Sequence, residues 1–179
     1  MSEPTEADLA AVSAQLGRPA RDVLRIAART RDGEPAVVAT APRLADGTPF
    51  PTFFYLTHPL LVAAMSRLEA DGRMRELTAR VQSEPDLAAA YERAHRAYLA
   101  DREAAGIVPE LAGVSAGGMP TRVKCLHALA GHALAAGPGV NPIGDLALAE
   151  AAAAEPPVAR AIGDWPGWTA DDGPAEGLL

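Results

Sequence analysis

Four side chains that could bind a metal ion or transfer protons stand in two short blocks of the sequence. His58 lies in PFPTFFYLTHP, and Cys125, His127 and His132 lie in MPTRVKCLHALAGHALAAGPGVNPIGD. Thiolate sulphur and imidazole nitrogen are common zinc ligands, and imidazole also transfers protons near neutral pH. The blocks are therefore the predicted site, with His58, His127 and His132 as candidate catalytic residues and all four side chains as candidate metal ligands.

A single unbroken helix is an unfavourable frame for such a metal site. At about 100° per residue, Cys125 and His127 point about 160° apart, and His127 and His132 about 140° apart. Cys125 and His132 share a face, but a rise of about 1.5 Å per residue separates them by about 10.5 Å. Zinc ligands lie only roughly 3–4 Å from one another. The metal hypothesis therefore requires the helix to begin near Leu126, or one of these residues to join His58.

A nucleophilic cysteine meets the same difficulty. On a continuous helix Cys125 does not reach His127, so its general base would be His58, arriving from the end of a predicted strand. Asp145 is the nearest carboxylate by sequence that could orient this base, and nothing in the sequence fixes its position. The alternative is a small, buried and unreactive cysteine.

The run Gly117-Gly118-Met119-Pro120, which leads into the second block, favours an anion site at the start of a helix predicted over 121–136. Glycine lets the backbone approach an anion closely, and the free N–H groups and dipole of a helix N-terminus favour negative charge. The spacing of a P-loop is absent. The leading hypothesis is a site that binds, or acts on, a small phosphate-containing anion. Its predicted ligands are Gly117, Gly118, Thr121, Arg122 and Lys124.

Helical periodicity and cap signals predict the elements that must position these residues. A Thr5–Asp8 capping box opens a first helix that ends at Gly17, and Pro19 opens a second that ends before Gly33. The residues from 106 to 120 have no clean period and are predicted as a loop. The remaining predicted helices are the segment from Pro59 to Gly72, 73–82, the segment from Pro85 to about Gly106, 121–136 and 144–154.

Two apolar runs rich in β-branched and aromatic residues predict an antiparallel hairpin. These are PAVVAT (35–40) and FPTFFYLT (50–57), with Ala45-Asp46-Gly47 in the connecting loop. The second run is apolar on both faces, so helices must cover both faces. The predicted fold is α+β and mostly helical: a buried antiparallel β-hairpin, open to extension by a further strand, covered by six to seven helices.

The length predicts one globular domain over 1–154, followed by a tail over 155–179 that is rich in Pro, Gly and Asp and partly disordered. Trp165 and Trp168 are predicted to dock on the domain. A single cysteine, no visible signal peptide and no membrane-spanning apolar run predict a cytoplasmic protein.

The charge distribution limits the partners that the chain can bind. A net charge of −7 argues against broad non-specific nucleic-acid binding. On the predicted second helix, arginines spaced by three and four residues share one side, which favours either a solvated face or a surface for an acidic protein partner. These are Arg18, Arg21, Arg25 and Arg29.

The two blocks together resemble the signatures of a bacterial family catalogued as domain of unknown function 501. The segments EPAVVATAPRLADGTPFPT and LVAAMSRLEADG fit it as well, so the resemblance covers roughly 18–150. It implies no established activity. Some relatives are labelled septum-formation-initiator-like and lie near genes for a cell-division protein and an exopolyphosphatase, which implies a housekeeping setting. Many relatives carry Cys where this chain has His58, and that exchange is compatible with a metal ligand.

Overall fold

The structure, a computed structural model, describes residues 3–171. Within that range the chain forms seven α-helices, a short 3-10 helix over Pro109–Leu111 and three strands. The mostly helical α+β class is therefore confirmed. The strands are β1 (Val23–Arg29), β2 (Pro35–Thr40) and β3 (Phe54–Leu56). The helices are α1 (Glu6–Leu16), α2 (Pro59–Ala70), α3 (Arg73–Ser83), α4 (Pro85–Ala105), α5 (Leu126–Ala136), α6 (Pro142–Ala154) and α7 (Pro156–Ile162).

The predicted hairpin forms the β2–β3 part of an antiparallel sheet with the order β1-β2-β3. Every residue of β2 is buried, and Val37 pairs with Leu56. The second strand is shorter than the predicted 50–57. Pro51 has no N–H to donate to a ladder, and the N–H of Phe53 donates to the hydroxyl of Tyr98 at 2.6 Å, so regular pairing begins only at Phe54.

The helix predicted from Pro19 to before Gly33 is wrong, because half of that segment is β1 and none of it is helical. β2 is central and buried, so its backbone needs hydrogen-bond partners on both edges, and β1 supplies one of them from Val23 to Arg29. The pairing contains three register irregularities. Such bulges interrupt the two-residue alternation that identifies a strand in a sequence. Apolar residues at 23, 26 and 27 therefore imitate a helical period.

The arginine stripe is lost together with that helix. Arg29 forms an ion pair with Asp8 at 2.7 Å, and this hydrogen bond is the main reason why the pKa of Asp8 lies far below its usual range. The guanidinium carbon of Arg25 lies 5.8 Å from the ring centroid of Phe54. Arg18 and Arg21 precede the strand and are exposed. The four arginines thus do not lie on one helix, and binding of an acidic partner stays a prediction.

Helix α5 lies across the sheet and carries most of the second block. Gly131 permits this close packing, since a Cβ there would lie 3.2 Å from the carbonyl oxygen of Phe54. Gly144 lets α6 approach α5 even more closely, because a Cβ at that position would overlap the carbonyl oxygen of Leu129. Gly131 therefore allows close packing of α5 on the sheet, and Gly144 allows close packing of α6 on α5.

The predicted start of this helix at Thr121 is also wrong, since α5 begins at Leu126. The preceding residues fold into turns in which the N–H of Arg122 donates to Gly118 O at 3.0 Å and the N–H of Lys124 donates to Gly117 O at 2.7 Å. The N–H of Val123 donates to the Thr78 hydroxyl at 3.0 Å. These amides are committed to internal bonds and do not form a helix N-terminus.

The predicted tail begins with α7, whose Val158 is buried in the main core. Both tryptophans pack against the same core, and the Trp165 indole N–H donates to Asp145 at 2.8 Å. Their predicted docking is thus confirmed. The disorder predicted for the end of the tail falls mainly on residues 172–179, which lie outside the described range.

Among the residues that the structure describes, no helix combines the length and the apolar character needed to cross a membrane.

Candidate functional site

His132 is a core residue. It is fully buried on α5, its ring stacks on Phe54 at 5.6 Å, and its Nδ1 lies 3.1 Å from the Asn141 amide nitrogen. Its Nε2 is buried and has no hydrogen-bond partner among the described residues. Burial lowers the pKa of His132 to about 4. The ring is therefore neutral at physiological pH and lies away from the other predicted ligands.

His58 occupies a separate place at the N-cap of α2. Its Nε2 lies 3.0 Å from a carboxylate oxygen of Glu34, and its Nδ1 is buried without a partner in the described part of the chain. Among the described residues, one group of side chains is close enough together to hold a metal ion, and neither His58 nor His132 belongs to it. The structure therefore does not bring the four predicted ligands together.

Cys125 and His127 do come together, and Glu69 joins them. One ligand atom from each of these three residues lies within 4.8 Å of the other two. The later start of α5 explains the contact: Cys125 is the N-cap, with extended backbone angles of φ −156° and ψ 108°. Its side chain is therefore free of the helical geometry that separates residues 125 and 127. The metal hypothesis required the helix to begin near Leu126, and the structure meets that requirement.

The ring of His127 is held by groups on α2. Its Nε2 lies 3.1 Å from the carbonyl oxygen of Val62 and 3.1 Å from the hydroxyl of Ser66. A carbonyl oxygen only accepts hydrogen bonds, so Nε2 carries a proton. Nδ1 then faces Glu69 Oε1 at 3.1 Å. The ring thus turns its other nitrogen toward the cluster.

Glu69 is fixed from the opposite side by the start of α5. Its Oε1 accepts a hydrogen bond from the N–H of Leu126 at 2.7 Å. That amide is one of the N–H groups that a helix leaves without an internal partner, and a carboxylate there is stabilised by the helix dipole. The end of α2 and the start of α5 are joined through this side chain.

The protonated ring of His127 and the negative charges of Glu69 and of a Cys125 thiolate stabilise one another. The hydrogen bond with Cys125, together with Glu69, outweighs burial and raises the pKa of His127 to about 9. Burial disfavours the Cys125 thiolate, but the hydrogen bonds with His127 and the Ala128 amide outweigh it, so the pKa of Cys125 is lowered. Without a metal ion, the proton on His127 supplies the positive charge.

A cleft of about 810 Å³ opens beside this cluster, and Cys125 and His127 form part of its wall. The end of α1, β3, the first half of α2 and the loop over 115–117 form the rest. Gly117 lets that loop approach α5, because a Cβ there would lie 2.6 Å from the Leu129 side chain. A small molecule in the cleft would contact the thiol and the imidazole.

Sequence reasoning missed Glu69. It lies in the segment LVAAMSRLEADG, 56 positions before Cys125, and nothing local distinguishes it from the other carboxylates of a helix end. Only the packing of α2 on α5 brings it to the site.

The predicted anion ligands stay outside this arrangement, except for Gly117 in the cleft wall. Thr121, Arg122 and Lys124 are exposed on the non-helical segment before α5. Anion binding by these side chains stays a prediction, but the helix-terminus argument for it no longer applies.

A family model described as "Protein of unknown function (DUF501)" matches residues 26–149, which is more than half of the chain. The chain belongs to this family. The resemblance seen in the two blocks is thus confirmed, and the matched region contains all three residues of the cluster. The family description assigns no activity. No curated protein and no solved structure matches this DUF501 protein.

Proposed function

We propose that this DUF501 protein binds a zinc-type divalent metal ion through Glu69, Cys125 and His127 and presents it to the adjoining cleft. The observation that carries the proposal is the convergence of three different ligand atoms, from two helices distant in sequence, within 4.8 Å.

The donor set suits zinc in type and in distance. Thiolate, imidazole and carboxylate are the three side-chain donors that zinc accepts, whereas magnesium and calcium prefer oxygen alone. Tetrahedral ligands lie roughly 3–4 Å apart. The three atoms lie within 4.8 Å of one another, so small side-chain rotations bring them to bonding distance.

The groups around the cluster also suit a metal. Ligating histidines commonly donate their second ring N–H to a carbonyl or carboxylate, which fixes the tautomer. His127 makes this contact with the Val62 carbonyl at 3.1 Å, which leaves Nδ1 for the ion. Glu69 is held by the Leu126 amide at 2.7 Å. Both ligands are therefore oriented before an ion arrives.

Three protein ligands leave a fourth position for water or another molecule, which distinguishes catalytic zinc sites from closed structural ones. A zinc ion in such a site can lower the pKa of bound water and polarise a carbonyl or phosphoryl oxygen. Because Cys125 and His127 line the cleft, a ligand there would lie next to the ion. A small phosphate-containing anion, predicted from the sequence, would find a binding position here instead of at Thr121.

An interaction module for an acidic partner has less support. Of the four arginines proposed for it, Arg29 is paired with Asp8 and Arg25 lies against Phe54. The proposed cell-division or housekeeping setting has no structural observation behind it.

Metal binding is tested on protein purified without a nickel column, stripped with a chelator and titrated with zinc under reducing conditions. One zinc per chain is expected. Cobalt in place of zinc should give a thiolate charge-transfer band. Cys125→Ser and His127→Ala should each weaken zinc binding by more than about 100-fold, since even loss of a group behind a ligand costs 10- to 100-fold.

His58→Ala is the matched control, because His58 is half-buried but outside the cluster. It should bind zinc as the wild-type chain does. Sub-stoichiometric zinc in the wild-type chain at saturation, or equal affinity in Cys125→Ser, would overturn the proposal.

A further inference from the structure

We infer that the cleft beside the cluster binds a small amphipathic molecule, with an apolar chain against the cleft wall and an oxygen-bearing head group at the ion. The inference rests on the proposed metal site and adds the class of ligand.

The size of the cleft excludes a small inorganic anion as its full occupant. A water molecule takes about 30 Å³ in the liquid, and sites for organic ligands typically measure about 300–1,000 Å³. At about 810 Å³, the cleft lies in the range of organic ligands. A free phosphate at the cluster would leave most of it unfilled.

The wall is apolar over most of its extent. Apolar side chains come from α1, β3, α2, α5 and the loop over 115–117. They include Leu16, Phe54, Leu56, Val62, Ala63 and Ala128. Two polar side chains in the wall are engaged elsewhere. The hydroxyl of Thr57 donates to the carbonyl oxygen of Ala36 at 3.4 Å, and the hydroxyl of Ser115 lies 2.8 Å from His95 Nδ1.

Charge in the cleft is confined to one end. Among the described residues that line it, none is Lys, Arg, Asp or Glu, so Cys125 and His127 are the ionisable groups available to a polar or anionic head. The wall also contains Tyr55, an aromatic side chain with one hydroxyl group. A ligand with one polar end and one apolar end therefore complements the cleft better than a molecule that is charged throughout.

The test uses straight-chain hydroxamic acids on the zinc-loaded, full-length protein. Their head group chelates zinc, and their chain length can be varied from acetohydroxamic to decanohydroxamic acid. Each methylene buried in the cleft should tighten binding about fourfold until the cleft is full. Isothermal titration calorimetry measures the affinities.

Ala63→Trp places a large ring in the cleft from α2, at a position that is not one of the three ligands. This variant should still bind one zinc per chain, but its affinity for the hydroxamic acids should depend much less on their chain length. Ala153→Trp, at an exposed position on α6, is the matched control and should keep both. Should Ala63→Trp unfold, Ala63→Phe makes the same comparison with a smaller ring.

The outcomes separate the two proposals. Zinc binding with equal affinity for all chain lengths overturns the amphipathic ligand and leaves the metal site standing. Absence of zinc overturns the proposed function itself, and direct metal analysis shows this before any hydroxamate is added. Chain-length dependence that Ala63→Trp does not reduce places the binding elsewhere and overturns the inference.

Discussion

Two histidines five residues apart on the same helix have opposite surroundings. His127 stands in the first turn of α5, beside a thiol, a carboxylate and a cleft, and its pKa is raised to about 9. His132 stands near the middle of the helix, stacked on Phe54 in the core, and its pKa is lowered to about 4. The residue type is the same, so helix position and neighbours decide which histidine can act on a ligand.

The largest difference between the two histidines should appear in folding stability when each is replaced by alanine. His132→Ala removes a fully buried ring and leaves a cavity, which should lower the free energy of unfolding by about 3–5 kcal/mol, as for large aromatic residues. His127→Ala, at a half-buried position, should cost roughly 1 kcal/mol. Urea denaturation of metal-free protein measures both. Equal losses would contradict the assignment of His132 to the core and His127 to the site.

Acid should destabilise the folded chain through the protonation of His132. Its pKa is about 4 in the folded state, below the ordinary value of 6.5. As the pH falls from about 6.5 to 4, the unfolded chain takes up a proton that the folded chain does not. Stability should therefore decrease across this window by on the order of 3 kcal/mol and be unaffected by this group above it.

The control for the acid prediction is His132→Phe, which keeps an aromatic ring without a titratable group. Between pH 6.5 and 4, this variant should lose less stability than the wild-type chain, because the contribution of His132 to the loss is absent. An unchanged pH profile in this variant would show that other groups cause the acid sensitivity.

The smallest effect is a local titration at His127. Nuclear magnetic resonance of the ring in metal-free protein should give a pKa of about 9. In Cys125→Ser this pKa should fall by a unit or more, because the hydrogen bond with Cys125 is the largest cause of the shift. Saturating zinc should abolish the titration, since the ion replaces the proton on Nδ1. A pKa near 6.5 in the wild-type chain would break the contrast with His132.

The sequence could predict those parts of the fold that depend on local signals. The Thr5–Asp8 capping box and the run over 35–40 carry their own start, stop or burial pattern, and both appear in the structure as expected. β1 could not be identified in this way, because its bulges remove the alternation of a strand. Its conformation is decided by the free edge of β2, which is a property of the assembled sheet.

The site was predictable only in part for a similar reason. Cys125 and His127 are visible by residue type, but their contact depends on where α5 begins. The apolar pattern alone runs smoothly through Val123 and Leu126 and does not mark that start. Glu69 carries no local signal and reaches the site through the packing of α2 on α5. The site is therefore completed by contacts between residues distant in sequence, which the residue types alone do not reveal.

The carboxylate of Glu69 has a consequence for how the protein responds to its surroundings. It caps α5 through the Leu126 amide and is also a proposed metal ligand, so one side chain belongs both to the scaffold and to the site. An ion bound there would favour the folded chain over the unfolded one by about 2.7 kcal/mol at a free concentration 100 times its dissociation constant. The amount of folded protein in a metal-poor cell would then depend on metal supply.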